Sequence, residues 1–112
     1  MLGVGKSQRV FVCQEPIDMR KSFEGLAYLT REVIKQDPLS GYLFMFVNRT
    51  KSSMKILYWD KSGYAIWYKQ LQKGRFSTGG SVELTYTEMM CVLDGLEFDK
   101  MPRRVRFSRD FS

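Results

Sequence analysis

Tyr42-Leu43-Phe44-Met45-Phe46-Val47 is an unbroken apolar run of six residues. A strand with one wet face alternates polar and apolar side chains, so a continuous run asks for cover on both faces. The run therefore predicts a strand at 42–47, central in its sheet and packed against a helix. The helix is legible just upstream. Met19, Phe23, Leu26, Ala27, Thr30, Val33 and Ile34 share one helical face, with Arg20, Lys21, Glu24, Arg31 and Glu32 largely opposite. Asp18 is placed to cap this helix, which should run from about residue 19 to 35 and stop ahead of Asp37-Pro38.

Val10-Phe11-Val12-Cys13 reads as an opening strand, halted before Pro16. Asp37-Pro38-Leu39-Ser40-Gly41 turns the chain into the 42–47 strand. The polar, basic connection Asn48 to Ser53 then joins it to a second strand, Met54 to Trp59, making a hairpin. In Asp60-Lys61-Ser62-Gly63 the glycine suits a type I turn with a G1 bulge, so residues 64–71 should return as a third meander strand. The spacing leaves the register of that hairpin open, and a one-residue slip would exchange the faces that show Trp59 and Trp67.

Gln72-Lys73-Gly74 is a further turn and Ser77 to Ser81 reads as flexible. Thr85 and Glu88 have capping-box spacing, and Leu84 with Met89 has the spacing of a hydrophobic staple. They predict a second helix with Met89, Met90, Val92, Leu93 and Leu96 as its apolar face and Gly95 near its end. The order β-α-β-β-β-α makes the class α+β: a single domain with an antiparallel or mixed β-meander sheet packed against two helices, these mainly on one face. The 112 residues, 44% of them apolar, suffice for one core and no second domain. Residues 8–99 are the expected folded core and 100–112 a basic, mobile tail.

The sequence excludes more chemistry than it suggests. There is no histidine, which removes the usual imidazole base and the commonest nitrogen ligand for metals. The acidic residues fall in turns and on helix faces with no convergent, metal-holding spacing. Gly3-Val4-Gly5-Lys6-Ser7 imitates the end of a phosphate-binding loop, but no strand leads into it and a strand, not a helix, follows. No catalytic residue, metal or cofactor is expected. Cys13 and Cys91 read as two buried free thiols of a reducing compartment. The longest apolar run is far short of the about 20 residues that span a bilayer, and the N-terminus lacks a signal peptide's pattern, so a cytoplasmic protein is expected.

Charge is the positive clue. The net charge of +6 divides as +1 over residues 1–40, +6 over 41–75, −5 over 76–99 and +4 over 100–112, counting Lys and Arg against Asp and Glu. Segregation of this kind builds a positive face suited to a polyanion, of which nucleic acid is the commonest in the cytoplasm. Three groups are candidate phosphate contacts. Arg49, Lys51 and Lys55 lie at the first hairpin; Lys69, Lys73 and Arg75 lie near the third meander strand; Lys100, Arg103, Arg104, Arg106 and Arg109 lie in the tail. Trp59, Trp67 and Tyr68 would stack on bases if exposed, although aromatics in a meander usually belong to the core.

Several ordered blocks carry a resemblance. Asp18-Met19-Arg20-Lys21-Ser22-Phe23-Glu24-Gly25-Leu26, Asp37-Pro38-Leu39-Ser40-Gly41 with Leu43-Phe44 and Phe46, Leu57-Tyr58-Trp59-Asp60, Gly63, Trp67-Tyr68-Lys69, Leu71 and Lys73-Gly74-Arg75-Phe76 together resemble the accessory Orf2-type proteins, called TnpB, of IS sixty-six type bacterial insertion sequences. They are distinct from the RNA-guided nucleases of the same name. The resemblance spans roughly residues 9–97 and implies a non-catalytic auxiliary beside a separate transposase that holds the strand-cutting chemistry. It carries no site residues across. Ser22 stands where the family usually has Gly, and Ser77-Thr78 follow Phe76 where a Trp-Pro-like pair is expected. Two partners are then expected in principle: DNA, met through the basic hairpins and tail, or the element-encoded transposase, met by an adaptor surface without direct DNA contact.

Overall fold

The computed structural model describes residues 8–96. Two hydrogen bonds explain how the chain starts. Leu43 N–H donates to Arg9 O at 2.9 Å and Cys13 N–H to Met45 O at 2.9 Å, which lays β1 (Val10–Val12) parallel to β2 (Leu43–Val47). A parallel pair needs a crossover, supplied here by α1 (Phe23–Leu29). From β2 the chain meanders antiparallel through β3 (Ser53–Asp60) and β4 (Gly63–Gln70). It then returns to the far side of β1 as the two-residue strand β5 (Glu83–Leu84) before α2 (Tyr86–Leu93). The sheet is mixed, in the order β4-β3-β2-β1-β5. The α+β class expected from the sequence is thus what the chain forms, and of the two sheets left open, antiparallel or mixed, it is the mixed one.

The apolar run is the middle strand, and Leu43, Phe44, Met45 and Phe46 have no exposed surface. Alternation sends these four to two different cores. Leu43 and Met45 join Val10, Val12, Met54, Ile56, Phe76 and the α2 residues Met89, Val92 and Leu93. Phe44 and Phe46 join Phe11, Cys13, Ile17, Leu57 and the α1 residues Leu26 and Ala27. The helices therefore cover opposite faces of the sheet, which corrects the expectation of both mainly on one face. A strand apolar on both faces has to be covered twice, and two helices meet that demand by separating. The sheet also parts the thiols. Cys13 is buried in the α1-side core, Cys91 is half-buried on the α2 side, and both are free.

Both helices differ in detail from their expected outlines. The α1 helix begins at Phe23, not residue 19, and Asp18 does not cap it; Ser22 stands at the N-cap without a side-chain hydrogen bond. Residues 18–22 instead form a turn, with Lys21 N–H donating to Asp18 O at 3.0 Å. The last turn, Thr30–Ile34, is π-helical, and the buried Thr30 hydroxyl donates back to Leu26 O at 2.9 Å, a bond that competes with the regular ladder. The capping box of α2 forms as expected, with Thr85 Oγ1 accepting from Glu88 N–H and Glu88 Oε1 accepting from Thr85 N–H. At its other end Gly95, at φ +81°, lets Leu96 N–H reach Cys91 O and its own N–H reach Val92 O, a Schellman closure.

The β3–β4 hairpin settles the open register. Trp59 pairs with Tyr64 and Asp60 with Gly63, so the loop is only Lys61-Ser62. The positive φ falls on Lys61 at 58°, not on Gly63, and no G1 bulge forms. Replacing Phe44 by Ala should cost about 3–5 kcal/mol, because the void opens between sheet and helix where neither can collapse into it. Tyr28, 57% exposed, should cost no more than about 0.5 kcal/mol when cut to Ala. Urea unfolding of the two variants checks the contrast.

Candidate nucleic-acid interface

One end of the sheet collects the loops that follow β1, β2 and β4. Ile17 N–H donates to Val47 O at 2.9 Å, drawing residues 13–19 alongside the end of β2. Leu71 N–H donates to Ser52 O at 2.8 Å and Phe76 N–H to Lys51 O at 2.7 Å, which pins the 71–76 loop to the 48–52 loop. The buried Phe76 ring anchors this attachment in the α2-side core. Val12 N–H donates to Val82 O, and Gln14 Nε2 donates to Val12 O and Ser81 O, tying the 78–82 segment to the same end.

The 48–52 loop is held from within. Asn48 Oδ1 accepts the backbone N–H groups of Ser52 and Ser53 at 2.9 and 3.0 Å, and Asn48 O accepts from Lys51 N–H. Lys51 completes the turn at φ 62°. Between this loop and residues 16–19 lies an open cleft of about 420 Å³ lined by Pro16, Ile17, Asp18, Met19, Asn48, Arg49 and Thr50.

The expected cations divide sharply. Arg49, Lys51, Lys73 and Arg75 are all exposed, lie on these two joined loops, and among the described residues take part in no ion pair. Lys55 and Lys69 are used by the fold. Lys55 Nζ donates to Met19 O at 2.7 Å and Lys21 O at 2.8 Å, bracing the turn that leads into α1, and sits 5.1 Å from the Tyr68 ring. Lys69 Nζ donates to Leu93 O at 2.8 Å, where a cation meets the open carbonyls at the C-terminus of α2. The tail candidates Arg103, Arg104, Arg106 and Arg109 lie outside the described residues, as does the expected mobile segment 100–112.

No joint stacking platform forms from the aromatics. Trp59 and Trp67 are on opposite faces, the first edge-on to Tyr64 at 5.2 Å and the second packed into the α2-side core. Tyr68 alone of the three is well exposed, at 52%. Among the described residues no group of His, Cys, Asp or Glu is placed to hold a metal ion, and no helix is long and apolar enough to cross a membrane. Burial pushes the Cys13 thiol pKa up, away from the thiolate that nucleophilic chemistry needs.

Sequence reasoning did not find the cleft wall at 16–19 or the pair that shapes it. Asp18 Oδ1 accepts Arg20 N–H at 2.8 Å, and its carboxylate receives the Arg20 guanidinium at 2.6–3.1 Å. An Asp two residues before an Arg is the signal, an Asx-type turn read instead as a helix cap. The guanidinium first, and the backbone N–H second, bring the Asp18 carboxyl from its ordinary 3.8 down to about 2. A lowered folded-state value adds stability above the unfolded value and loses it as pH falls through the folded one. The Arg20 amide resonance should accordingly titrate with a midpoint near pH 2 and stop titrating there in Asp18→Asn, whereas a midpoint close to 4 would show the pair absent in solution.

Residues 8–103 match the family model described as IS66 Orf2 like protein. Uncharacterized protein y4hO of Sinorhizobium fredii (strain NBRC 101917 / NGR234) is 33% identical over 102 residues, covering 88% of this chain and 89% of the relative. Uncharacterized protein y4jC of the same strain is 27% identical over 108 residues, covering 93% and 92%. No solved structure matches the chain.

Proposed function

The chain belongs to the IS66 Orf2-like family, with its accessory role in transposition, and on that footing we propose that it acts by binding DNA through phosphate contacts at one end of its sheet. The observation that carries this reading is the gathering of Arg49, Lys51, Lys73 and Arg75, exposed and without ion pairs among the described residues, on two loops joined by the Phe76–Lys51 backbone bond. Cations on a common rim can meet successive phosphates, release condensed counterions together and bind with little sequence preference. The tail arginines Arg103, Arg104, Arg106 and Arg109 would extend the same interaction along the backbone.

Fluorescence anisotropy of the full chain on duplex DNA, including insertion-sequence ends, tests this across a salt series. Joint replacement of Arg49, Lys51, Lys73 and Arg75 by Ala should flatten the slope of log affinity against log salt by about 0.9 for each phosphate no longer neutralised, about 3–4 in all if each cation meets one. Lys55→Met and Lys69→Met should leave that slope alone and instead lower stability by roughly 1 kcal/mol, since the first strands the carbonyls of Met19 and Lys21 and the second that of Leu93. No binding at low salt would overturn the proposal in favour of an adaptor that docks on the transposase.

A further inference from the structure

The two edges of the sheet are guarded very differently. The β5 edge is two residues long, and its Glu83 is locked in a bidentate pair with Arg9 at 2.9 and 3.0 Å. The β4 edge is eight residues, Gly63–Gln70, without proline, and among the described residues nothing pairs with its outer side. Its single charged residue is Lys69, and that ammonium is turned away to Leu93 O. Native sheets ordinarily blunt so long an edge with charge, proline, a bulge or a covering segment.

The hydrogen-bond phase of this edge follows from the hairpin. A two-residue loop makes its flanking pair, Asp60 and Gly63, the first hydrogen-bonded pair, and Leu71 N–H donating to Ser52 O at 2.8 Å has the same parity. Odd-numbered residues of β4 thus bond to β3, and the N–H and C=O groups of Tyr64, Ile66, Tyr68 and Gln70 point outward.

We infer that the β4 edge pairs antiparallel with the β4 edge of a second copy of this chain, joining two sheets into one. The edge is complementary to itself. An antiparallel pairing about a two-fold axis normal to the sheet sets even-numbered residues opposite even-numbered ones, so outward groups meet outward groups. Centred on Ile66 or on Trp67, the pairing forms roughly six to eight backbone hydrogen bonds. With the axis at Ile66, Tyr64 lies opposite Tyr68 of the second copy, an aromatic pair of the kind that stabilises cross-strand packing. Neither register sets like charges opposite each other within the strand, because Lys69 meets Gly63 or Ala65. A strand edge is a small interface, which makes the dimer weak and concentration-dependent. Repulsion between two chains of net charge +6 makes it tighter as salt rises, the reverse of a phosphate contact.

Sedimentation velocity from about 1 to 500 µM, paired with amide hydrogen exchange on the full-length protein, tests the inference. The mass should rise from 13.2 kDa toward twice that value, while the amides of Tyr64, Ile66 and Tyr68 become protected only as the dimer fills. Ala65, Trp67 and Lys69 should stay protected at every concentration through β3. Tyr68→Pro removes an outward N–H that β3 does not use, and should give a folded monomer. If that variant fails to fold, the exchange pattern of the unaltered chain still decides. A monomer across the whole range overturns the inference. So does a dimer in which those three amides exchange as fast as in dilute protein, or a monomer in which they are always protected.

Discussion

The structure depends on one strand being buried on both faces. With Leu43, Phe44, Met45 and Phe46 all fully covered, β2 cannot sit at an edge and cannot have a wet side. Pairing on both flanks follows, with β1 on one and β3 on the other, as does a helix above and a helix below. Once β2 is central, the short β1 must run parallel to it, since the α1 crossover returns the chain in the same direction. The ends of β1 and β2 then open at the same end of the sheet, and the loops that carry the candidate cations gather there as a consequence of core burial.

A count of charges along the chain cannot tell which cations face solvent. Residues 41–75 carry +6, yet two of their lysines stabilise the fold itself. Lys55 lies on the same face as Leu57 and Trp59, beneath the turn that precedes α1, and its ammonium holds two carbonyls which that turn leaves open. Lys69 does the equivalent for α2 from the opposite face. In both cases a long aliphatic stem covers apolar sheet while the charged tip satisfies backbone, so the cation is consumed by the architecture. What remains exposed is the set on the loops, where no strand alternation turns a side chain inward.

Patterns that repeat over several residues were legible in the sequence, and features decided by a single interaction were not. The β2 run, the α2 capping box and the Gly95 stop each rest on two or more agreeing signals, and each forms as read. The start of α1 rested on Asp18 as a cap and on Met19 as a first apolar position four residues ahead of Phe23, and the guanidinium of Arg20 took that carboxylate for a turn. Gly63 was the natural residue for positive φ, but the Asp60–Gly63 pairing moved the loop back and left Lys61 to adopt it. The two-residue β5 carries no periodic signal at all, and its place beside β1 comes from long-range bonds such as Val12 N–H to Val82 O. Of the candidate cations, Arg49, Lys51, Lys73 and Arg75 were legible as basic residues of exposed loops. Their joint placement was not, because the meeting of the 48–52 and 71–76 loops depends on Phe76 entering a core that also takes Val10, Val12, Leu43 and Met45 from strands far from it in sequence.

Rigidity of these loops bears directly on what they can bind. A lysine at φ 62° costs about 1 kcal/mol relative to glycine, and the Asn48 side chain and carbonyl offset that cost with three hydrogen bonds around the turn. The Lys51 backbone is therefore held on both sides, its N–H on Asn48 O and its O on Phe76 N–H. On the DNA-binding reading, the entropic cost of a phosphate contact at Lys51 is mainly that of ordering one lysine stem. A glycine at position 51 would form the turn more easily and carry no charge. On the DNA-binding reading, the strained residue is tolerated because it presents a cation at a set position on the rim, and the hairpin that holds it there is built on the same β2 and β3 pairing that closes the core.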